Sequence, residues 1–439
     1  MDDEKDRAAE TMGDRLASVP YGLVGHPLGH SWSPQIHERL GSAPYALHDL
    51  GPEEVGSFLR GGAWRGLNVT IPYKRLAAEV ADVRSPAVVR LGAANTLVRN
   101  GDGRIVAENT DVLGFSWMLD RFCRTRLGGS PRELLGRRKV IVLGSGGASA
   151  AVRDALEHVV GARTVTISRG GPETYDSLAE RHSDVVLLVN TTPVGMYPAC
   201  PASPVPVETL SALTRLVGVL DVIYNPLRTG LCLAAERLGL PAETGLAMLV
   251  AQALYASELF QGRELDDALV GAVERDLLAR TRSVVLVGMP GVGKSSCGRE
   301  LARLLGRPFV DLDDAVTIES GRTPAQIISE DGEAAFRDVE TGVAGTYGSR
   351  AGLVIACGGG IVTRDENRDL LRQNGVVVQL ERPLDDLSVE GRPVSLARGL
   401  ERLAAERMPL YRSWADLVLP CTGSAAGDAR AIAERLALR

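Results

Sequence analysis

Residues 283–295 read Ser283-Val284-Val285-Leu286-Val287-Gly288-Met289-Pro290-Gly291-Val292-Gly293-Lys294-Ser295, an apolar run that breaks into glycines and then opens a helical pattern. The run reads as a buried strand, and the residues after it fit the spacing G-x-x-x-x-G-K-[ST]. Glycines let backbone N–H groups turn inward around phosphates, the helix N-terminus favours an anion, and Lys294 neutralises the β and γ oxygens. Ser295 brings a hydroxyl for Mg²⁺. The bland alternative, a glycine-rich strand-to-helix turn, is disfavoured by a complete motif in its full context. This part of the chain is an α/β unit that binds a nucleoside triphosphate.

Downstream, PFVDLD, LVIACGGG and VVVQL continue the alternation. Upstream stands a second strand–glycine–helix junction, Lys139-Val140-Ile141-Val142-Leu143 followed by Gly144-Ser145-Gly146-Gly147-Ala148-Ser149-Ala150. It is a variant of the dinucleotide fingerprint, with small Ser149 where a third glycine could stand. The runs TVTIS, VVLLVN and VGVLDVIY follow it with helices between, so right-handed parallel βαβ units are expected. At the end of TVTIS stand Ser168 and Arg169 with no acid for ribose hydroxyls, which favours the 2′-phosphate of NADP. Short apolar runs (YGLVG, GLNVT, NTLVR) precede this unit, and residues 245–278 read as helices. The halves carry different glycine motifs: two enzymes on one chain.

Composition sets the outer limits. The chain has 439 residues, 45% hydrophobic and 24% charged, as in a soluble globular protein of two or three domains. A net charge of −6 argues against a nucleic-acid surface. The 6 cysteines form no C-x-x-C pair, which argues against zinc and disulfides and for a reducing compartment. The N-terminus, MDDEKDRAAE, has no apolar core and reads as no signal peptide. Residues 185–207 are uncharged but too rich in proline for a membrane helix, so a cytoplasmic protein is expected. All 6 histidines lie at or before His182, which leaves proton work in the second half to a carboxylate or a lysine.

Beyond the phosphate loop come Asp311 and Asp313 in FVDLD, Arg337 in GEAAFRDVE, the triplet Gly358-Gly359-Gly360, Arg392 before a proline, and Arg412 in MPLYRS. With Gly291, Val292, Gly293, Lys294, Ser295 and Ser296 this set resembles the shikimate kinase family, over essentially all of 283–439. The resemblance implies that Asp313 orients and deprotonates the acceptor hydroxyl, and that Asp311 supports Mg²⁺ with Ser295. It implies that Arg337 and Arg412 grip the substrate carboxylate, and that Arg392, in a short acidic lid segment, reaches the phosphates of ATP. A small anionic polyol does need guanidinium partners at one end and a carboxylate at the reacting hydroxyl. Singly, each of these charges would read as a solvated surface group.

Nearer the start, Gly25-His26-Pro27-Leu28-Gly29-His30-Ser31-Trp32-Ser33-Pro34 gathers hydroxyls and turn formers, and Asn68-Val69-Thr70-Ile71-Pro72-Tyr73-Lys74, Gly92-Ala93-Ala94-Asn95-Thr96 and Asn109-Thr110-Asp111 follow. Each alone would serve as a turn or cap. In this order, ahead of a dinucleotide loop, they resemble shikimate dehydrogenase, over about residues 20–262. The resemblance implies that Ser31 and Ser33 hold a substrate carboxylate. Asn68, Thr70, Asn95, Asp111 and Gln252 would then bond ring hydroxyls, Tyr224 would line the cleft, and Lys74 and Asp111 would form the catalytic pair. Ketone reduction needs a proton donor on the carbonyl, and a lysine beside an aspartate supplies polarisation and proton together. NADP(H) is expected on Gly144, Ser145, Gly146, Gly147, Ala148, Ser168 and Arg169, with Asn190, Thr192, Met196 and Gly245 near the nicotinamide. The histidines between 26 and 48 show no ligand spacing and are read as structural.

The expected architecture is α/β throughout. After a polar leader (1–18) comes a substrate-binding domain (19–112, completed by helices in 245–275), then a Rossmann NADP domain (113–244). A linker (276–282) leads to a three-layer α/β/α P-loop kinase domain (283–439). The expected activities are reduction of 3-dehydroshikimate and ATP-dependent phosphorylation of the shikimate so formed. Two rivals stand beside this, an NAD-linked quinate/shikimate dehydrogenase and a ligand sensor that has lost catalysis. The partners are small molecules, with no nucleic acid or membrane. Oligomeric state is left open.

Overall fold

The structure, a computed structural model, describes residues 20–29, 31–387 and 399–438. These form two compact units. The first takes in the described residues up to Pro193 together with Pro204–Tyr224 and Ala234–Arg275. The second takes in Val194–Ser203, Asn225–Leu233 and the described residues from Asp276 onward.

The first unit holds two sheets. One is built from β1 (Tyr21–Gly25), β2 (Tyr45–Asp49), β3 (Gly66–Val69), β4 (Val83–Arg84), β5 (Thr96–Arg99) and β6 (Ile105–Glu108), in the order β2-β1-β3-β5-β6-β4. It is mixed, because the turn after β5 folds β6 back antiparallel while β1 pairs in parallel with β2 and β3. Asn100 sets that turn by accepting from the amides of Asp102 and Arg104 at 3.1 and 2.9 Å. The other sheet runs β11-β10-β9-β7-β8, with β7 (Lys139–Leu143), β8 (Arg163–Ile167), β9 (Leu187–Asn190), β10 (Gly218–Asp221) and β11 (Ala242–Thr244), all parallel. Strand order reverses between β7 and β9, and at such a switch point the C-terminal strand ends leave a crevice. Val140, Ile141, Val142 and Leu143 are fully buried, as a strand covered on both faces requires.

The helices Thr110–Phe122 and Leu246–Gln261 cross very closely at Gly114. A Cβ there would lie 2.8 Å from Gln252 Cβ and from the Met248 carbonyl, so only glycine permits the approach. The crossing brings Asp111 and Gln252 to the same cleft. Phe115, Met118 and Leu119 on the same helix pack against Val140 and Val142 of the second sheet. The expected border at 112/113 therefore falls inside one helix. Gly114→Val should force the two helices apart and destabilise the unit by about 1–3 kcal/mol, the scale of overpacking a close contact; denaturant unfolding would check it.

The second unit's sheet is parallel, ordered β13-β14-β12-β15-β16, with β12 (Ser283–Val287), β13 (Phe309–Asp311), β14 (Val354–Ala356), β15 (Gly375–Glu381) and β16 (Leu417–Pro420). β12 lies at its centre and delivers the phosphate loop. Two expectations about boundaries need correction. Residues 276–281 are no loose linker but the last turns of the helix Ala268–Thr281. Residues 194–203 and 225–233, expected in the dinucleotide domain, pack in the second unit. There the Leu227 amide donates to Asn374 Oδ1 at 3.0 Å and the Arg228 amide to the Gln373 carbonyl at 2.8 Å. Arg228 Nη1 also donates to the Arg372 carbonyl, one of those a helix end leaves unpaired. Among the described residues no helix is long and apolar enough to cross a membrane.

Candidate active sites

In the first unit a cleft of about 230 Å³ opens at the carboxyl ends of β1 and β3. Its walls include Ser31, Ser33, Asn68, Thr70, Lys74, Asn95, Asp111, Tyr224 and Gln252, every residue expected there. Leu23, Val69, Val222, Met248 and Leu249 add an apolar floor, and Gly245 stands on its rim. At the centre Lys74 Nζ donates to Asp111 Oδ2 at 2.6 Å. Asn95 Nδ2 donates to the other Asp111 oxygen at 3.0 Å, while Asn95 Oδ1 accepts from the Thr110 amide at 2.7 Å. The aspartate is thus fixed from both sides and holds the ammonium at the cleft. Ser31 and Ser33 are joined by a 3.0 Å hydroxyl contact. His26 pairs with Asp49 at 2.7 Å and the Leu28 amide bonds the same carboxylate at 3.1 Å, which anchors the loop carrying these serines. His30 lies outside the described residues.

Gly144 takes a positive φ of 101° where β7 ends, and a Cβ on it would press on Thr191 and Thr192. Ser145, Gly146 and Gly147 are exposed, and a Cβ on either glycine meets nothing within 4 Å, so this turn forms an open cradle at the N-terminus of the helix Gly147–Asp154. Ala148 follows in its first turn. Ser149 is fully buried, which explains its small size. Ser168 and exposed Arg169 follow β8, next to β7 in the sheet. The donor set fits a dinucleotide: open amides for a pyrophosphate and a guanidinium for an additional phosphate. Asn190 departs from its expected place. It is fully buried, donating to Asp221 Oδ2 at 3.0 Å and accepting from the Thr192 amide and hydroxyl at 3.0 and 2.8 Å. Its fully buried side chain shapes the turn. Met196, 47% exposed, belongs to the second unit.

In the second unit a cavity of about 440 Å³ is lined by Gly291, Gly293, Lys294, Ser295, Ser296, Asp311, Asp313, Arg337 and the triplet Gly358, Gly359 and Gly360. Gly291 and Gly293 take positive φ of 86° and 103°. Val292 turns its side chain into the core, leaving only its backbone for the loop. Lys294 Nζ bonds the carbonyls of Gly288 and Met289 at 2.9 and 3.0 Å, which holds the ammonium against the loop. Ser295 Oγ donates to Asp311 Oδ2 at 2.6 Å. No cluster of three or more His, Cys, Asp or Glu among the described residues could hold a metal alone. One hydroxyl and one carboxylate side by side suit Mg²⁺ that takes its other ligands from phosphates and water.

The glycine triplet is dictated by what surrounds it. A Cβ on Gly358 would meet Asp313 Oδ1 at 2.8 Å and Glu340 Oε1 at 2.9 Å, one on Gly359 would press on Pro290, and one on Gly360 would collide with the Arg337 guanidinium. Arg337 Nη1 pairs with buried Glu340 at 2.6 Å. Burial, and next the neighbouring Asp311, push the Asp313 carboxyl above the ordinary carboxylate range, while Lys294 and Arg337 pull it back.

Arg412 does not reach this cavity. Its side chain is 64% exposed and pairs with Glu381 at 3.2 Å. The arginine that lines the cavity from the same helix, Leu400–Trp414, is Arg407. It is buried, donates through Nη1 to the Gly359 carbonyl at 3.0 Å, and has no hydrogen-bond partner for its buried Nη2. A guanidinium in a cavity wall is a ready donor for an anion. Glu340 and Phe336 are further wall residues that the motifs did not single out. Arg392 lies outside the described residues.

A nicotinamide-dinucleotide oxidoreductase fold with a lysine–aspartate cleft, followed by a P-loop phosphotransferase, is the class these sites define. Residues 23–97 match the family model of the shikimate dehydrogenase substrate binding domain, and residues 290–437 match that of shikimate kinase. The NADP(+) shikimate dehydrogenase of Oleidesulfovibrio alaskensis is 35% identical over 286 residues, 60% of this chain and 98% of the relative. That of Streptomyces avermitilis is 37% identical, over 56% of this chain and 91% of the relative. Among solved structures, a chorismate mutase/shikimate 5-dehydrogenase fusion protein from Clostridium acetobutylicum covers 58% of this chain at TM-score 0.51 and 31% identity, with 96% of that chain covered. The chain belongs to the shikimate dehydrogenase family and carries a shikimate kinase domain at its C-terminal end. It is a bifunctional enzyme of the shikimate pathway.

Proposed function

We propose that the chain reduces 3-dehydroshikimate to shikimate with NADPH and then phosphorylates shikimate to shikimate 3-phosphate with ATP and Mg²⁺. The observation that carries the first half is the Lys74–Asp111 pair in a cleft rimmed by paired serines and amides. The nicotinamide supplies a hydride when bound. Lys74 polarises the ketone and gives its proton to the oxygen as the carbonyl becomes a hydroxyl, while Asp111 holds the ammonium in line. Ser31 and Ser33 receive the carboxylate, and Asn68, Thr70 and Gln252 bond the ring hydroxyls. The family names of the relatives and the exposed Arg169 after β8 support NADP over NAD.

In the second reaction Asp313 accepts the proton of the acceptor hydroxyl, and Lys294 offsets charge on the transferred phosphoryl group. Ser295 and Asp311 would hold Mg²⁺, which would supply charge to offset the triphosphate. Arg337 and Arg407 bind the ring carboxylate. Arg407→Ala should therefore raise the KM for shikimate by about 30- to 100-fold, the scale of a lost charge-assisted contact, whereas Arg412→Ala should change it less than twofold; the reverse order in kinase assays would return the role to Arg412. The division of labour follows the sequence reading, with substrate and NADP segments first and the kinase segment from 283. The site of action is the cytoplasm, in keeping with NADPH and ATP as co-substrates.

The test is a coupled assay. The purified chain with 3-dehydroshikimate, NADPH and ATP-Mg²⁺ should yield shikimate 3-phosphate, and omission of ATP should stop it at shikimate. Faster turnover with NAD and quinate than with NADP and shikimate would move the first activity to the quinate class.

A further inference from the structure

Tyr45, on β2, is not among the residues lining the first cleft. Its hydroxyl nevertheless donates to Asn68 Oδ1 at 2.8 Å. That bond continues along a chain of neighbours. The Thr110 amide, which can only donate, meets Asn95 Oδ1 at 2.7 Å and fixes how the Asn95 side chain is turned. The Thr96 hydroxyl lies 3.3 Å from the same oxygen and 3.0 Å from the Thr110 hydroxyl, and Asn68 Nδ2 donates to it at 3.2 Å. That leaves Asn68 Oδ1 as the acceptor facing Tyr45. Asn95, at the far end, donates to Asp111, the partner of Lys74.

The tyrosine ring is itself held. It stacks on His37 with centroids 4.2 Å apart and planes 12° apart, and His37, fully buried, lies 3.1 Å from Ser257 Oγ and stacks on Phe260. A fixed ring gives a fixed hydroxyl. We infer that Tyr45 is a positioning residue for the dehydrogenase: it orients the Asn68 amide so that one N–H remains directed at a substrate hydroxyl, through the hydrogen-bond chain that ends on the Lys74–Asp111 pair. The inference rests on the reading that Asn68 bonds the substrate ring.

Tyr45→Phe keeps the ring stack and removes only the hydroxyl. It should raise the KM for shikimate about tenfold, the scale of one hydrogen bond left unmade, with kcat within twofold and the KM for NADP⁺ unchanged. That unchanged value also reports that the unit is folded. Asn68→Ala should raise the same KM, and adding Tyr45→Phe to it should do nothing further. If the two effects multiply in full, or Tyr45→Phe shifts the KM for NADP⁺ as much as that for shikimate, or does not move the KM for shikimate at all while Asn68→Ala does, Tyr45 is no positioning residue. If Asn68→Ala itself leaves the KM for shikimate unchanged, the reading of the cleft fails, and the inference falls with it.

Discussion

Lys74→Ala should lower kcat/KM for shikimate oxidation by on the order of 10³-fold or more, the combined scale of a lost proton donor and a lost oxyanion partner, while the kinase rate of the same molecules stays within twofold. Lys74 brings the positive charge to the cleft, and its ammonium is held on Asp111 at 2.6 Å. Alanine leaves Asp111 bonded to Asn95 but facing the substrate with an uncompensated charge. Binding of an anionic substrate then suffers along with chemistry, so KM rises as kcat falls. Asp111→Asn should be milder, because the ammonium remains and only its aim is lost. Initial rates of NADPH formation and of ATP-dependent phosphorylation, taken on one preparation, decide the matter. Equal loss of both activities would mean that the two sites are not independent.

Much of the first cleft was legible because its residues come in short bursts at strand ends, as in Asn68-Val69-Thr70 and Asn109-Thr110-Asp111, where a single turn carries several donors into one place. Arg407 and Arg412 show where such reading stops. They sit on one helix five residues apart, which puts them about 140° apart around its axis. The motif requires an arginine there, but which one faces the cavity depends on how the helix is rotated against Gly359, and that rotation is set by packing. Asn190 shows a related ambiguity, since a side chain that organises a binding turn and one that touches the ligand leave the same letter in the sequence. Tyr45 gave no signal at all, because its partner Asn68 is brought to it only by the pairing of β1 with β2 and β3. The domain borders at 112/113 and 276–282 were placed at breaks in pattern, whereas one helix runs through the first and the last turns of another fill most of the second.

Asp313→Asn should lower kinase kcat by about 10²- to 10⁴-fold and at the same time raise the melting temperature of the second unit at pH 7. The two effects share a cause. Asp313 lines the cavity with Asp311 close by, and its carboxyl is raised above the usual range, desolvation being the larger reason and Asp311 the next. A group whose folded value lies above its unfolded one, about 3.9 for aspartate, binds its proton more readily in the folded chain. Its contribution to stability is complete below the unfolded value and is lost as pH rises through the raised folded value. The enzyme thus carries a carboxyl whose surroundings disfavour its charge, a cost borne for a base close to the acceptor hydroxyl. Asparagine fills the same space without the charge. The gain in melting temperature should shrink as the pH is lowered through the raised folded value, where the wild-type carboxyl takes up its proton. Calorimetric scans across that range, paired with rates, separate the alternatives. A variant that phosphorylates within tenfold of wild type would deny Asp313 the proton. One that melts earlier at pH 7 would show that attraction to Lys294 and Arg337 outweighs burial.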